Sequence, residues 1–133
     1  MHLRRSKYTL DKVIINLAAH FDASKMTYLT RTCKALQHLE LHKINPVGDS
    51  LISALPLAQN LRTLFIAEDC VISPKVMLQA LNVCRNTLER ALFWRVGGPV
   101  NLDDSWPVLE SLKCLDLRVY NLYPNFFALV RYS

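Results

Sequence analysis

Apolar residues return along this chain as a six-residue phrase, apolar at its first, fourth and sixth positions and mostly polar between. The clearest copy is Leu36–Leu41, LQHLEL, in which Leu36, Leu39 and Leu41 carry the pattern. Four more copies are Leu10/Val13/Ile15 in LDKVII, Leu61/Leu64/Ile66 in LRTLFI, Leu88/Ala91/Phe93 in LERALF and Leu112/Leu115/Leu117 in LKCLDL. First residues at 10, 36, 61, 88 and 112 set successive periods of 26, 25, 27 and 24. Alternation at the end of each phrase predicts a short strand with one buried face. A lone strand of this kind cannot bury that face by itself, so recurrence at a nearly constant period predicts stacked units.

The stretches between phrases carry helical spacing instead. Asp22 or Ser24 is the candidate N-cap of a helix running through Met26, Leu29 and Cys33. Pro46 and Gly48 break the chain after the second phrase. A helix restarting at Asp49 or Ser50 would bury Leu51, Ile52 and Leu55 before Pro56 ends or kinks it. The stretch ISPKVMLQALNVC predicts the clearest helix, with Ser73 as N-cap and Pro74 as first residue, where its missing N–H costs little. Its buried stripe is Val76, Met77, Ala80, Leu81 and Cys84. After the fourth phrase, RVGGPVNLDD reads as a long loop around Gly97-Gly98-Pro99, and Pro107 leaves SWPVLESL a short helix at best. Residues 118–133 contain no further phrase and read as a tail or improvised cap, since Leu122, Phe126, Phe127, Leu129 and Val130 are too apolar for water.

A phrase of this spacing, at this period and with helices between copies, is the leucine-rich repeat. The predicted fold is therefore α/β: a single domain over 1–133, an open parallel sheet of about five short strands, and helices on the convex side of a solenoid. The strands fall near 10–15, 36–41, 61–66, 88–93 and 112–117. Stacking them in register turns the outward positions into columns on a concave face. The central column reads Ile14, Glu40, Phe65, Leu92 and Asp116; the next reads Asn16, His42, Ala67, Trp94 and Arg118. On the other side lie Lys12, His38, Thr63, Arg90 and Cys114. A solvent-facing sheet should present polar residues there. Phe65, Leu92 and Trp94 depart from that rule together, rimmed by Arg62, Glu89, Arg90 and Arg118, and so mark a candidate protein-binding patch. The candidate binding residues are Phe65, Leu92, Trp94, Glu40, His42, Arg62, Arg90 and Arg118. In the competing arrangement a bulge in the fourth strand turns Leu92 and Trp94 inward and Ala91 and Phe93 outward.

Composition narrows this picture without naming a partner. The hydrophobic fraction of 51% with 20% charged residues excludes a disordered chain. The net charge of +5 leaves a nucleic-acid-associated repeat protein as the alternative to a protein-binding module. No window reaches the roughly 18 apolar residues of a membrane span, so no membrane association is expected. The basic start followed by VIINLAA imitates a signal peptide, but Asp11 and Asn16 flank and interrupt it, and the residues complete a repeat strand. Cys33, Cys70, Cys84 and Cys114 lack metal or disulfide spacing and read as small buried hydrophobes, which fits a cytoplasmic or nuclear protein. No nucleophile, phosphate-binding or metalloprotease motif occurs. His38 and His42 flank Glu40 on one strand face and could share a proton or a metal, but no third ligand falls in register, and a solvated surface is expected. Capping accounts for Asp103 and Asp104. No catalytic residue, metal or cofactor is expected, and the chain is not expected to be an enzyme.

Four stretches, LQHLEL, LISALPLAQNLRTLFI, SPKVMLQALNVCRNTLERALFW and SWPVLESLKCLDLRVY, together resemble the leucine-rich-repeat region of fungal F-box-like proteins. The likeness spans about residues 10–122. It implies a substrate-recognition role, because in that family an N-terminal F-box docks the adaptor of a cullin–RING ubiquitin ligase and the repeats hold the substrate. The nine residues before the first phrase do not match an F-box. The expectation is therefore a recognition part without the ligase-docking element, a section of a longer solenoid or an abbreviated relative of one.

Overall fold

The computed structural model describes residues 11–16, 23–44, 52, 55, 60–98, 106–120 and 127–132. Six strands form one open sheet in chain order, β1 (Lys12–Ile15), β2 (His38–Leu41), β3 (Thr63–Ile66), β4 (Arg90–Gly97), β5 (Cys114–Tyr120) and β6 (Phe127–Tyr132). The first five run parallel, and β6 pairs antiparallel with β5. Two described helices, α1 (Ala23–Thr32) and α2 (Pro74–Val83), lie in connections between parallel strands, so the fold is α/β with an open sheet.

The register follows the phrases residue for residue. Lys12 pairs with His38, His38 with Thr63, Thr63 with Arg90 and Arg90 with Cys114, so homologous positions stand side by side. Each strand begins two residues after the phrase does, because the leading leucine sits in the approach. Leu36, Leu61, Leu88 and Leu112 are all buried there. At each junction one carbonyl accepts from two successive N–H groups of the next strand. The Asp11 carbonyl takes Gln37 and His38, that of Gln37 takes Arg62 and Thr63, that of Arg62 takes Glu89 and Arg90, and that of Glu89 takes Lys113 and Cys114. Side chains stitch the same level. Asn60 donates to the Lys34 carbonyl at 2.9 Å, and Ser111 donates to that of Asn86 at 3.0 Å. A repeated sequence has folded into a repeated hydrogen-bond geometry.

Alternate residues of β1 to β5 enter one apolar core, including Val13, Leu39, Leu41, Leu64, Ile66, Ala91, Phe93, Leu115 and Leu117. From the other side that core receives Leu29 and Cys33 at the end of α1, and Val76, Met77, Ala80, Leu81 and Cys84 from α2 and its C-cap. Ser73 caps α2, its hydroxyl accepting from the Val76 N–H at 3.2 Å, with Pro74 opening the helix. Cys70 Sγ lies in the core and accepts from the Ile44 N–H at 3.3 Å while donating to the Leu41 carbonyl at the same distance. It thereby satisfies backbone groups where the chain leaves β2, just after Lys43 adopts a left-handed φ of 55°. Burial, opposed by the Ile44 N–H and aided by the neighbouring Asp69, pushes the Cys70 thiol up to about 11, and burial alone pushes Cys84 to about 12.

The structure departs from the sequence reading in four places. Ser24, one of the two N-cap candidates, lies inside α1, which begins at Ala23 (the other, Asp22, is outside the described residues), and α1 ends at Thr32, one residue short of Cys33. Arg95, Val96 and Gly97 continue β4 instead of opening a loop. This extension is held by the Ile72–Val96 bridge, in which the Ile72 N–H donates to the Arg95 carbonyl and the Gly97 N–H to that of Ile72. Residues 106–113 form no helix, and Pro107 bars a helical turn running through Trp106 into it. Part of the tail adds strand to both ends of the last pairing, extending β5 to Tyr120 and forming β6. The helix predicted from Asp49 or Ser50 lies mostly outside the described residues, but Ile52 and Leu55 within it are buried. Asp103, Asp104, Leu122 and Phe126 also lie outside them.

Candidate functional site

The face of the sheet opposite the core is built from the alternate strand residues. Ile14, Glu40, Phe65, Leu92 and Asp116 occupy one register row across five strands. Neighbouring side chains in such a row stand within contact distance because parallel strands are about 4.8 Å apart. Trp94 lies outward, one position further along β4 than the core residue Phe93. The shift in register falls between Phe93 and Val96, so Trp94 and Arg95 together oppose Arg118. That bulge follows the aromatic patch instead of preceding it. Ala91, Phe93 and Val96 are buried, Leu92 and Trp94 are half-buried on the outer face, and Arg95 stays exposed rather than taking its alternating turn into the core.

Around this row the structure assembles a continuous stack. His42 and Phe65 have ring centroids 5.7 Å apart, and Phe65 meets Trp94 edge-to-face at 4.6 Å and 87°. The Arg118 guanidinium lies 3.8 Å over the Trp94 ring, a cation–π contact, with Nε 3.8 Å from the Asp116 carboxylate. Asp116 is buried, only 8% exposed, and its Oδ1 has no hydrogen-bond partner; neither does the buried indole N–H of Trp94. Strand spacing already places Trp94 beside Arg118 in one outward column; the contacts of Trp94 with Phe65 and of Phe65 with His42 run diagonally between columns and are set by side-chain packing.

On β2 the outer face closes on itself. Glu40 binds both flanking histidines, His38 Nε2 at 2.8 Å and His42 Nε2 at 3.1 Å, and all three side chains are half-buried. Burial acts to raise the Glu40 carboxyl, but the two histidine hydrogen bonds, with His38 and Lys12 charge, hold it below the usual carboxylate range. The solvated strand surface expected at these histidines is instead a half-buried hydrogen-bonded trio. Among the described residues no group of three or more His, Cys, Asp or Glu side chains is placed to hold a metal ion.

Of the candidate binding residues, Phe65, Trp94, Arg118, His42 and Glu40 fall in this connected set, with Leu92 between Phe65 and Asp116 in the row. Arg62 and Arg90 do not reach the aromatic stack. They stand where the strands begin, beside a shallow groove of about 400 Å³ lined also by His38, Glu89, Lys113 and Cys114. There Glu89 is shared between Lys113 at 2.7 Å and Arg62 at 3.6 Å. These cations, hydrogen bonding from Lys113 first, hold the Glu89 carboxyl below its usual range. Among the described residues no helix is long and apolar enough to cross a membrane. Comparison with protein-family models, curated proteins and solved structures finds no match.

Proposed function

We propose that the chain is a non-catalytic protein-interaction module, a leucine-rich-repeat solenoid whose concave face, the outer face of the sheet, holds a protein partner. The observation that carries this reading is the grouping of Phe65, Leu92 and Trp94 on three outward positions of adjacent strands, where a merely solvated sheet calls for polar residues. Repetition of the strand register and of the junction hydrogen bonds supports the solenoid part of the proposal. In the role implied by the resemblance to F-box-like proteins, the face is the substrate-recognition part of a ubiquitin ligase receptor. A cytoplasmic or nuclear setting follows from that role and agrees with four free cysteines.

Affinity capture with the intact chain and with Leu92→Lys, both baits verified as folded by circular dichroism, tests the proposal. A partner retained by the first, lost by the second and reconstituted from purified components is the expected result. Identical partners for both baits would remove the face from consideration. Binding dominated by nucleic acid, with affinity falling steeply as salt rises, would favour the alternative of a basic nucleic-acid-associated repeat protein.

A further inference from the structure

The charges around the patch are unevenly satisfied, and this bears on what kind of segment docks there. Three of the described carboxylates of the face have a partner within ion-pair distance: Glu40 two histidines, Glu89 Arg62 and Lys113, and Asp116 Arg118 at 3.8 Å; Asp11, exposed at the approach to β1, is in none of these pairs. Lys12 and Arg90 are exposed and, among the described residues, have no carboxylate within ion-pair distance. They occupy the same register row three strands apart, a separation of roughly 14 Å at about 4.8 Å per strand. Beside them runs the row containing Ile14, 52% exposed, and the half-buried Phe65 and Leu92. Arg90 is thus a cation without an ion-pair partner beside the apolar pair Phe65 and Leu92, while Lys12, at the far end of its row, has the exposed Asp11 next to it in sequence and adds its charge to Glu40.

We infer that the occupant of this face is an acidic peptide segment carrying an apolar anchor. The anchor covers Phe65 and Leu92, and its flanking carboxylates meet Arg90 and Lys12. This deepens the protein-binding reading above and rests on it. Charge complementarity of this kind steers encounter and fixes orientation, while the desolvated anchor contributes most of the affinity. Single-stranded nucleic acid suits the face less well, because it needs open aromatic surfaces on which bases stack. Trp94 has one ring face under the Arg118 guanidinium and Phe65 packed edge-to-face against it.

Panning a random dodecapeptide display library on the immobilised full chain, followed by fluorescence anisotropy of the enriched peptides, tests the inference. Enriched sequences should place Asp or Glu on either side of a branched apolar or aromatic residue. Their affinity should fall about tenfold or more for Arg90→Glu and for Leu92→Lys, less for Lys12→Glu, and not for Arg85→Glu, an exposed cation on the turn after α2. All four sites are half-buried or exposed, and circular dichroism confirms that each variant is folded. Peptides lost with Leu92→Lys but lacking acidic residues, or tightened by Arg90→Glu, would overturn the acidic inference and leave the docking face standing. Peptides indifferent to every face variant, or no enrichment over a bare surface, would overturn both. Tighter binding of oligothymidylate at the same face, with steep salt dependence, would overturn the peptide assignment in favour of nucleic acid.

Discussion

Strands β2 and β4 stand two places apart in one sheet and present opposite outer faces. On β2, His38, Glu40 and His42 satisfy one another, and the face needs nothing further. On β4, Leu92 and Trp94 are apolar, the indole N–H lacks a partner, and a bulge lets Arg95 escape the core. Their core faces, by contrast, match: Leu39 and Leu41 on β2 and Ala91 and Phe93 on β4 are all fully buried. The difference teaches that repetition constrains only the buried side of each unit. The outward side varies from strand to strand, and that is where recognition can be built.

The largest expected effect tests the shared half of the comparison. Leu39→Ala should cost about 2–5 kcal/mol and Phe93→Ala about 3–5 kcal/mol, as large-to-small changes at fully buried sites. Chemical denaturation measures both, and a loss well under 1 kcal/mol at either would mean that its strand does not share this core. Leu64→Ala on the intervening β3 belongs to the same class, at about 2–5 kcal/mol.

A middle-sized effect separates the outer faces. Trp94 is half-buried between Phe65 and Arg118, so Trp94→Ala should lower stability by about 1–2 kcal/mol through lost aromatic and cation–π packing. A collapse of the denaturation midpoint comparable with that of Phe93→Ala would place Trp94 in the core and remove the patch. Glu40→Gln should cost less than about 1 kcal/mol, since its partners are partly solvated histidines. Its signature lies in pH. The folded Glu40 carboxyl titrates below its ordinary value, so the unfolded chain binds the proton first as pH falls. The stabilisation is present above the ordinary glutamate range and is lost as pH drops through the lower folded value. The difference in midpoint between the protein and Glu40→Gln should therefore shrink on acidification; a gap that widens would contradict the trio.

The smallest energetic effect is a chemical one. Cys70 and Cys84 have thiols pushed up to about 11 and about 12 by burial, and Cys33 is fully buried, whereas Cys114 is half-exposed in the row of Lys12 and Arg90. Alkylation of the native chain at neutral pH should modify Cys114 first, because the reactive species is the thiolate and it must be reached by solvent. Mass spectrometry of a short iodoacetamide pulse reads this directly, and prior labelling of Cys70 would mean that the junction after β2 opens.

The phrase spacing alone was enough to predict two of the three outward rows across the parallel strands; in the third, Ala67 is buried and the bulge sets Trp94 and Arg95 together against Arg118. The rows Lys12–His38–Thr63–Arg90–Cys114 and Ile14–Glu40–Phe65–Leu92–Asp116 follow from period-two alternation and a near-constant repeat length, both local properties of the chain. Ser73 and Pro74 likewise mark the start of α2, because a helix N-terminus is a local hydrogen-bonding problem with a local solution. What depends on partners distant in the chain was decided by the tertiary structure. The bulge at Trp94 and Arg95 is set by β5 alongside it and by the Ile72 bridge, and it keeps Arg95 out of the core. Closure of Glu40 on two histidines depends on rotamers and on how far the neighbouring strands exclude water. The antiparallel β6 obeys no repeat at all, because pairing along the last strand is available to any extended segment that can reach it.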